Sequence, residues 1–246
     1  MYIPAHFAAA DLDQVARFVD QAGTADLVTF DGTAPASTLL PVIWERPDGW
    51  AERIAAGGQV AGEAGGAAGT WGAPEDGDGA GGSRYGRLIG HIALSNPQWS
   101  IALPGVPGLA IVRGPQAYVS PSWYESTREH GRTVPTWNYT TVHLTGEVRF
   151  HRDESWLREV VTRLTERYEA GRTGRWWVAD APEKFIAGQL RAIVGVELLI
   201  AKVEAKDKLS QNRPPQDRAN VIAALRAEPG AGPRAIADLM AGREAG

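Results

Sequence analysis

The chain has no cysteine among its 246 residues. That absence excludes disulfides, thiolate nucleophiles and cysteine-ligated zinc or iron–sulfur centres. Long apolar runs are also missing, and none approaches the ~20 residues that span a bilayer. The opening Met1-Tyr-Ile-Pro-Ala-His-Phe7 lacks the basic and apolar blocks of a signal peptide. Both absences point to a soluble, cytoplasmic protein with no membrane partner. Positive charge is not in surplus either: 25 Lys and Arg face 29 Asp and Glu, for a net charge of −4. Proteins dedicated to nucleic acid usually carry the opposite balance, because phosphate neutralisation supplies much of their affinity. Direct DNA binding is therefore not expected from charge.

Apolar residues make up 43% of the chain and charged residues 22%, enough to bury a sizeable core. The nine tryptophans are unevenly placed, with Trp99, Trp123, Trp137, Trp156, Trp176 and Trp177 in or just after the middle third. Several stand beside Pro, Asn or Ser. They are either core residues with a polar tip or the walls of a pocket for a flat ligand.

Asp11 stands at the cap position of a predicted first helix, whose apolar face is Leu12, Val15, Phe18 and Val19 and which Gly23 ends. Strands are predicted over 25–30 and 37–45, with Pro41 marking an edge or bulge. Residues 57–82 hold 11 glycines and almost no large apolar side chain, so 57–84 reads as a flexible insertion. Its Gly77-x-Gly79-x-x-Gly82 lacks the preceding strand and following helix of a dinucleotide site, and reads as a chance match. Further strands follow at 85–93, 109–113 and 117–120, and 135–150 reads as a strand pair or one long bent strand. Helices start at Asp153 and Pro182, a last strand covers 194–204, and two short helices flank the Pro229–Pro233 turn. Short strands at close spacing predict an antiparallel barrel with flanking helices, an α+β chain. The expected division is a barrel domain over 1–212 and a helical tail over 213–246.

Four segments combine aromatic residues with uncharged hydrogen-bonding side chains at strand ends: Gly90-His-Ile-Ala-Leu-Ser-Asn-Pro-Gln-Trp99, Gly114 to Tyr124, Val134-Pro-Thr-Trp-Asn-Tyr139 and Lys208-Leu-Ser-Gln-Asn-Arg213. A flavin needs that mixture, since its faces are apolar while its pyrimidine edge must be paired once buried. With Met1-Tyr-Ile-Pro4 and Gln189 to Gly195, these segments resemble the PaiB family of FMN-binding negative transcriptional regulators. The resemblance runs from residue 1 to about residue 228. It departs at Leu94, where a basic residue is common, and at Asp207, where an aromatic is common.

The resemblance implies an FMN-binding split barrel, working as a homodimer with flavin at the subunit interface. The implied cofactor-binding residues are His91, Ser95, Asn96, Trp123, Thr136, Trp137, Asn138, Lys208, Ser210, Gln211 and Asn212. Each has a plainer reading beside it. His91 is a cofactor contact or a strand histidine bonded to a carbonyl. Trp137 and Asn138 form a flavin wall and edge partner, or a packed Trp and a turn Asn. Trp123 is a ligand wall or a cover for the barrel mouth or dimer contact. The 208–212 cluster is a phosphate or ribityl contact, or a solvated loop. Three functions remain open: regulation of transcription without direct DNA reading, flavin-dependent oxidoreduction of a small molecule, and haem chemistry. In the last, the chain resembles piperazate synthases, and His91 is the axial ligand to haem b. No catalytic acid, base or nucleophile stands out, and no metal site is expected unless haem is bound.

Overall fold

The computed structural model describes residues 1–9, 12–47, 83 and 85–243. The glycine-rich stretch and the Asp11 cap lie outside the described residues. Six strands form one closed antiparallel barrel: β1 (Thr24–Phe30), β2 (Pro35–Glu45), β3 (Arg87–Ala93), β4 (Gly108–Val119), β5 (Thr136–His151) and β6 (Ile193–Lys208). Their order around the barrel is β1-β2-β3-β6-β5-β4. Side-chain alternation explains the inside. Ala25, Leu27 and Thr29 of β1 and Asn138, Thr140, Val142 and Leu144 of β5 are buried, while their neighbours face outward. Leu144, Val194, Leu198 and Ile200 meet in the barrel core with almost no exposure. β6 is apolar without alternation because helices cover its outer face as well.

Pro41 is not at a sheet edge. β2 lies between β1 and β3, and Pro41 ends the β1 pairing opposite Thr24 just before pairing with β3 starts at Val42. At that hand-over the missing N–H is not needed. Residues 108–119 form one strand rather than two, with a shift in register between Arg113 and Gln116. The last strand runs on to Lys208 because β5 pairs with it along its full length.

Among the described residues, seven α-helices flank the barrel: α1 (Leu12–Ala22), α2 (Gln98–Ile101), α3 (Glu125–His130), α4 (Glu154–Glu169), α5 (Glu183–Arg191), α6 (Pro215–Ala227) and α7 (Ala231–Gly242). Asp153 caps α4 as expected, its carboxylate accepting from Trp156 N at 2.9 Å. Val160 and Leu164 of α4 pack on Ile43 and Ile89, and Trp156 lies over Gly195. α6 and α7 bury Val221, Leu225, Ile236 and Ala237 against Ala117, Val119 and Tyr124. They thus pack directly on β4 and the turn that follows it. Among the described residues, no helix is long and apolar enough to cross a membrane.

Candidate functional site

The predicted site residues fall into two groups near opposite ends of β6. His91 pairs with Gly195 near the start of that strand, and Lys208, at its end, pairs with Tyr139. The two positions lie thirteen steps apart along β6, about 40 Å of strand contour at ~3.3 Å per residue.

At the first end, the imidazole of His91 is half-buried and its Nδ1 has no hydrogen-bond partner. Burial lowers its pKa, so the ring is neutral at pH 7. An unpaired, buried, neutral nitrogen is an orphan that a bound group would satisfy. The turn beyond it is fixed from both sides. Leu94 N donates to Ala192 O at 2.8 Å, and the indole of Trp99 donates to Leu94 O at 2.9 Å. Asn96 donates through Nδ2 to Thr38 Oγ1 at 2.8 Å and accepts from Gln98 N at 3.0 Å. Its amide is engaged within the turn, so Asn96 shapes the loop. Ser95 presents an exposed hydroxyl.

At the second end, the ring of Trp137 faces outward and is 51% exposed, with Tyr118 against it edge-to-face at 6.1 Å between centroids. Lys208 donates to Thr136 Oγ1 and, at 2.9 Å, to Trp137 O. Both partners are neutral, and no carboxylate pairs with Lys208 among the described residues. Burial lowers the Lys208 pKa, and the like charges of Lys206 and Arg213 lower it further against an opposing effect of Tyr139. Lys206 lies 5.4 Å from the Tyr139 ring centroid. An outward aromatic wall beside the Lys208 ammonium suits a flat ligand carrying negative charge.

Asn138, Ser210, Gln211 and Trp123 make contacts within the chain. Asn138 is wholly buried, and its amide exchanges hydrogen bonds with Ser210, at 3.0 Å and 3.2 Å. Gln211 accepts from Leu209 N at 2.7 Å and donates to Asp207 O at 2.5 Å, folding the exit from β6. Asn212 is exposed, and Trp123 packs against the α6–α7 core. Tyr118 was missed in the sequence, although its alternation with buried Ala117 and Val119 marks it as outward-facing.

The fold and these strand-end features define a cofactor-binding split barrel. A family model described as "Putative FMN-binding domain" matches residues 1–202. The Bacillus subtilis (strain 168) "Protease synthase and sporulation protein PAI 2" is 30% identical over 241 residues, 98% of this chain and 96% of that protein. The chain belongs to this FMN-binding, PaiB-type family. Two solved structures share the fold at low identity. The flavocytochrome Anf3 from Azotobacter vinelandii has a TM-score of 0.52 and 15% identity, over 87% of this chain and 75% of that one. The FAD and heme binding protein from Mycobacterium smegmatis has a TM-score of 0.50 and 16% identity, over 91% and 81%.

Proposed function

We propose that this protein binds FMN as a cytoplasmic homodimer and acts as a flavin-dependent regulator that does not itself read DNA. The observation that carries the reading is the Trp137–Tyr118 wall beside Lys208, a cation held only by neutral oxygens. One copy keeps this group apart from His91 and the Ser95–Asn96 turn. The reading therefore requires a two-fold pairing of barrels that brings the first group of one copy beside the second group of the other. Exposed Tyr118, against the exposed Trp137 ring, supplies apolar area for such a contact.

FMN, when bound, supplies reversible one- and two-electron redox chemistry. The chain's own residues hold it. Trp137 covers a ring face, Lys208 and Thr136 offer a cation and a hydroxyl, and neutral His91 offers a nitrogen that accepts or donates according to its tautomer. Regulation is put ahead of oxidoreduction of a small molecule on membership of the PaiB-type family, since the same holding residues would serve either role. Residues 213–246 hold five Arg against four acidic residues, which leaves α6 and α7 without a basic face for DNA. Regulation would pass through a partner or through the flavin's state.

The unpaired Nδ1 of His91 favours one second reading, haem b with His91 as axial ligand. An absorbance spectrum of the purified protein, with and without added FMN, decides between them. The flavin's two visible-region bands support the proposal, and a Soret band supports haem. A protein that takes up neither overturns both. Retardation of its own upstream DNA at low salt would overturn the indirect route of regulation.

A further inference from the structure

Among the described residues, most arginines are committed to carboxylates. Arg46 pairs with Asp20, Arg113 with Asp26, Arg149 with Glu147 and Arg158 with Glu183, while Arg87 joins Glu45 to Glu197. Arg152 differs. Its guanidinium lies 5.5 Å from the ring centroid of Trp99, and no carboxylate pairs with it among the described residues. The neighbouring Asp153 is occupied as the α4 cap, accepting from Trp156 N and Ser155 Oγ. A guanidinium drawn to an indole face by cation–π attraction, with no carboxylate on it, can offer its planar fork to an oxyanion in bidentate fashion.

The indole beneath Arg152 is itself fixed, because its N–H bonds Leu94 O at 2.9 Å. Arg152 therefore stands one indole's width from the Leu94–Asn96 turn, where Ser95 exposes its hydroxyl. Leu94 N bonds Ala192 O, which ties this turn to the end of α5. We propose that Arg152, seated over Trp99 beside the exposed Ser95, is an anion subsite that takes a phosphate monoester. The assignment rests on the flavin reading for its ligand, the phosphate end of FMN, and on the geometry of the turn for its position.

The test compares FMN with riboflavin, which lacks the phosphate, on the full chain and on Arg152→Ala, an exposed change that leaves the core intact. Flavin-fluorescence quenching gives both affinities, and calorimetric titration with inorganic phosphate and pyrophosphate probes the subsite without flavin. The expected result is that Arg152→Ala loses about tenfold in FMN affinity, the worth of one good charge-assisted contact, with riboflavin unchanged. Arg152→Lys, which keeps the charge but not the planar fork, should recover part of it. If FMN binds but its preference over riboflavin survives Arg152→Ala, the proposal is wrong. If neither flavin binds while phosphate or pyrophosphate does, and Arg152→Ala abolishes that binding, the subsite stands and the flavin reading fails. If neither flavin nor either phosphate probe binds, both fail.

Discussion

Asn138 and Ser210, 72 residues apart in sequence, close a two-way hydrogen-bonded pair in a fully enclosed position between the barrel and α7. The sulfur of Met240 approaches the same amide at 3.4 Å, which ties the C-terminal helices to the pair. Ser210 has φ 62, the one positive value at a non-glycine position among the described residues. Removing either partner strands a buried polar group, at about 1–3 kcal/mol. Asn138→Ala should therefore lower unfolding free energy in urea by that amount. Ser210→Gly also loses the hydroxyl but relieves a left-handed backbone by roughly 1 kcal/mol, so it should cost less than Ser210→Ala. Equal losses for the two serine variants would count against strain at this turn.

Trp137 calls for the opposite pattern. Half of its surface is exposed, and its neighbour Tyr118 is exposed as well. Trp137→Ala should leave the urea midpoint nearly unchanged and weaken FMN binding by about 1–3 kcal/mol, the range for stacking of a base on an aromatic side chain. A titration by flavin fluorescence measures it. Unaltered affinity would move the ring away from this wall.

These two tryptophan-strand residues, Trp137 and Asn138, show what the sequence makes legible. Strand alternation in Val142, Leu144 and Val148 announces β5, and the apolar run from Val194 announces β6, because burial on one or both faces leaves a period in the chain. The helix at Asp153 is equally plain, since a cap and a 3.6-residue period are local properties. Asn138 and Ser210 are different: a polar pair suited to a ligand edge has the same composition as one that satisfies itself, and only tertiary contact distinguishes them. Pro41 misleads for a related reason, as the hand-over between two neighbouring strands leaves no local mark. Arg152 passes unnoticed because its partner, Trp99, comes from 53 positions earlier, across the barrel.

Glu197 gives a dependence on pH. Burial raises its pKa, but hydrogen bonds and charge from Arg87 and His151 outweigh burial, and the net shift is downward. A carboxylate whose folded pKa is depressed contributes stability above its unfolded value, and that stability is lost as pH falls through the folded pKa. Stability of the native chain should therefore drop on acidification below the ordinary carboxylate range. Glu197→Gln should flatten that drop while lowering stability at pH 7, because Arg87 and His151 lose their shared anion. Urea unfolding at a series of acidic pH values checks it, and parallel curves for the two proteins would remove Glu197 as the source.

Gly195 supports the stack of His151 on Trp156, whose rings lie 4.2 Å apart and 18° from parallel. A Cβ on Gly195 would fall 2.0 Å from Trp156 Cζ3. The indole is held between His151, stacked on it, and the apolar side chains of α4 and α5. Gly195→Ala should thus cost about 1–3 kcal/mol, as overpacking of a filled site does. The same displacement would disturb the 3.0 Å contact between His151 Nε2 and Glu197, so the variant should also lose part of the acid-dependent stability assigned above. Thermal unfolding at pH 7 and at acidic pH reads both effects. A lower melting temperature with an unchanged acid profile would confine the role of Gly195 to space under the indole, and an unchanged melting temperature would show that the indole is free to move.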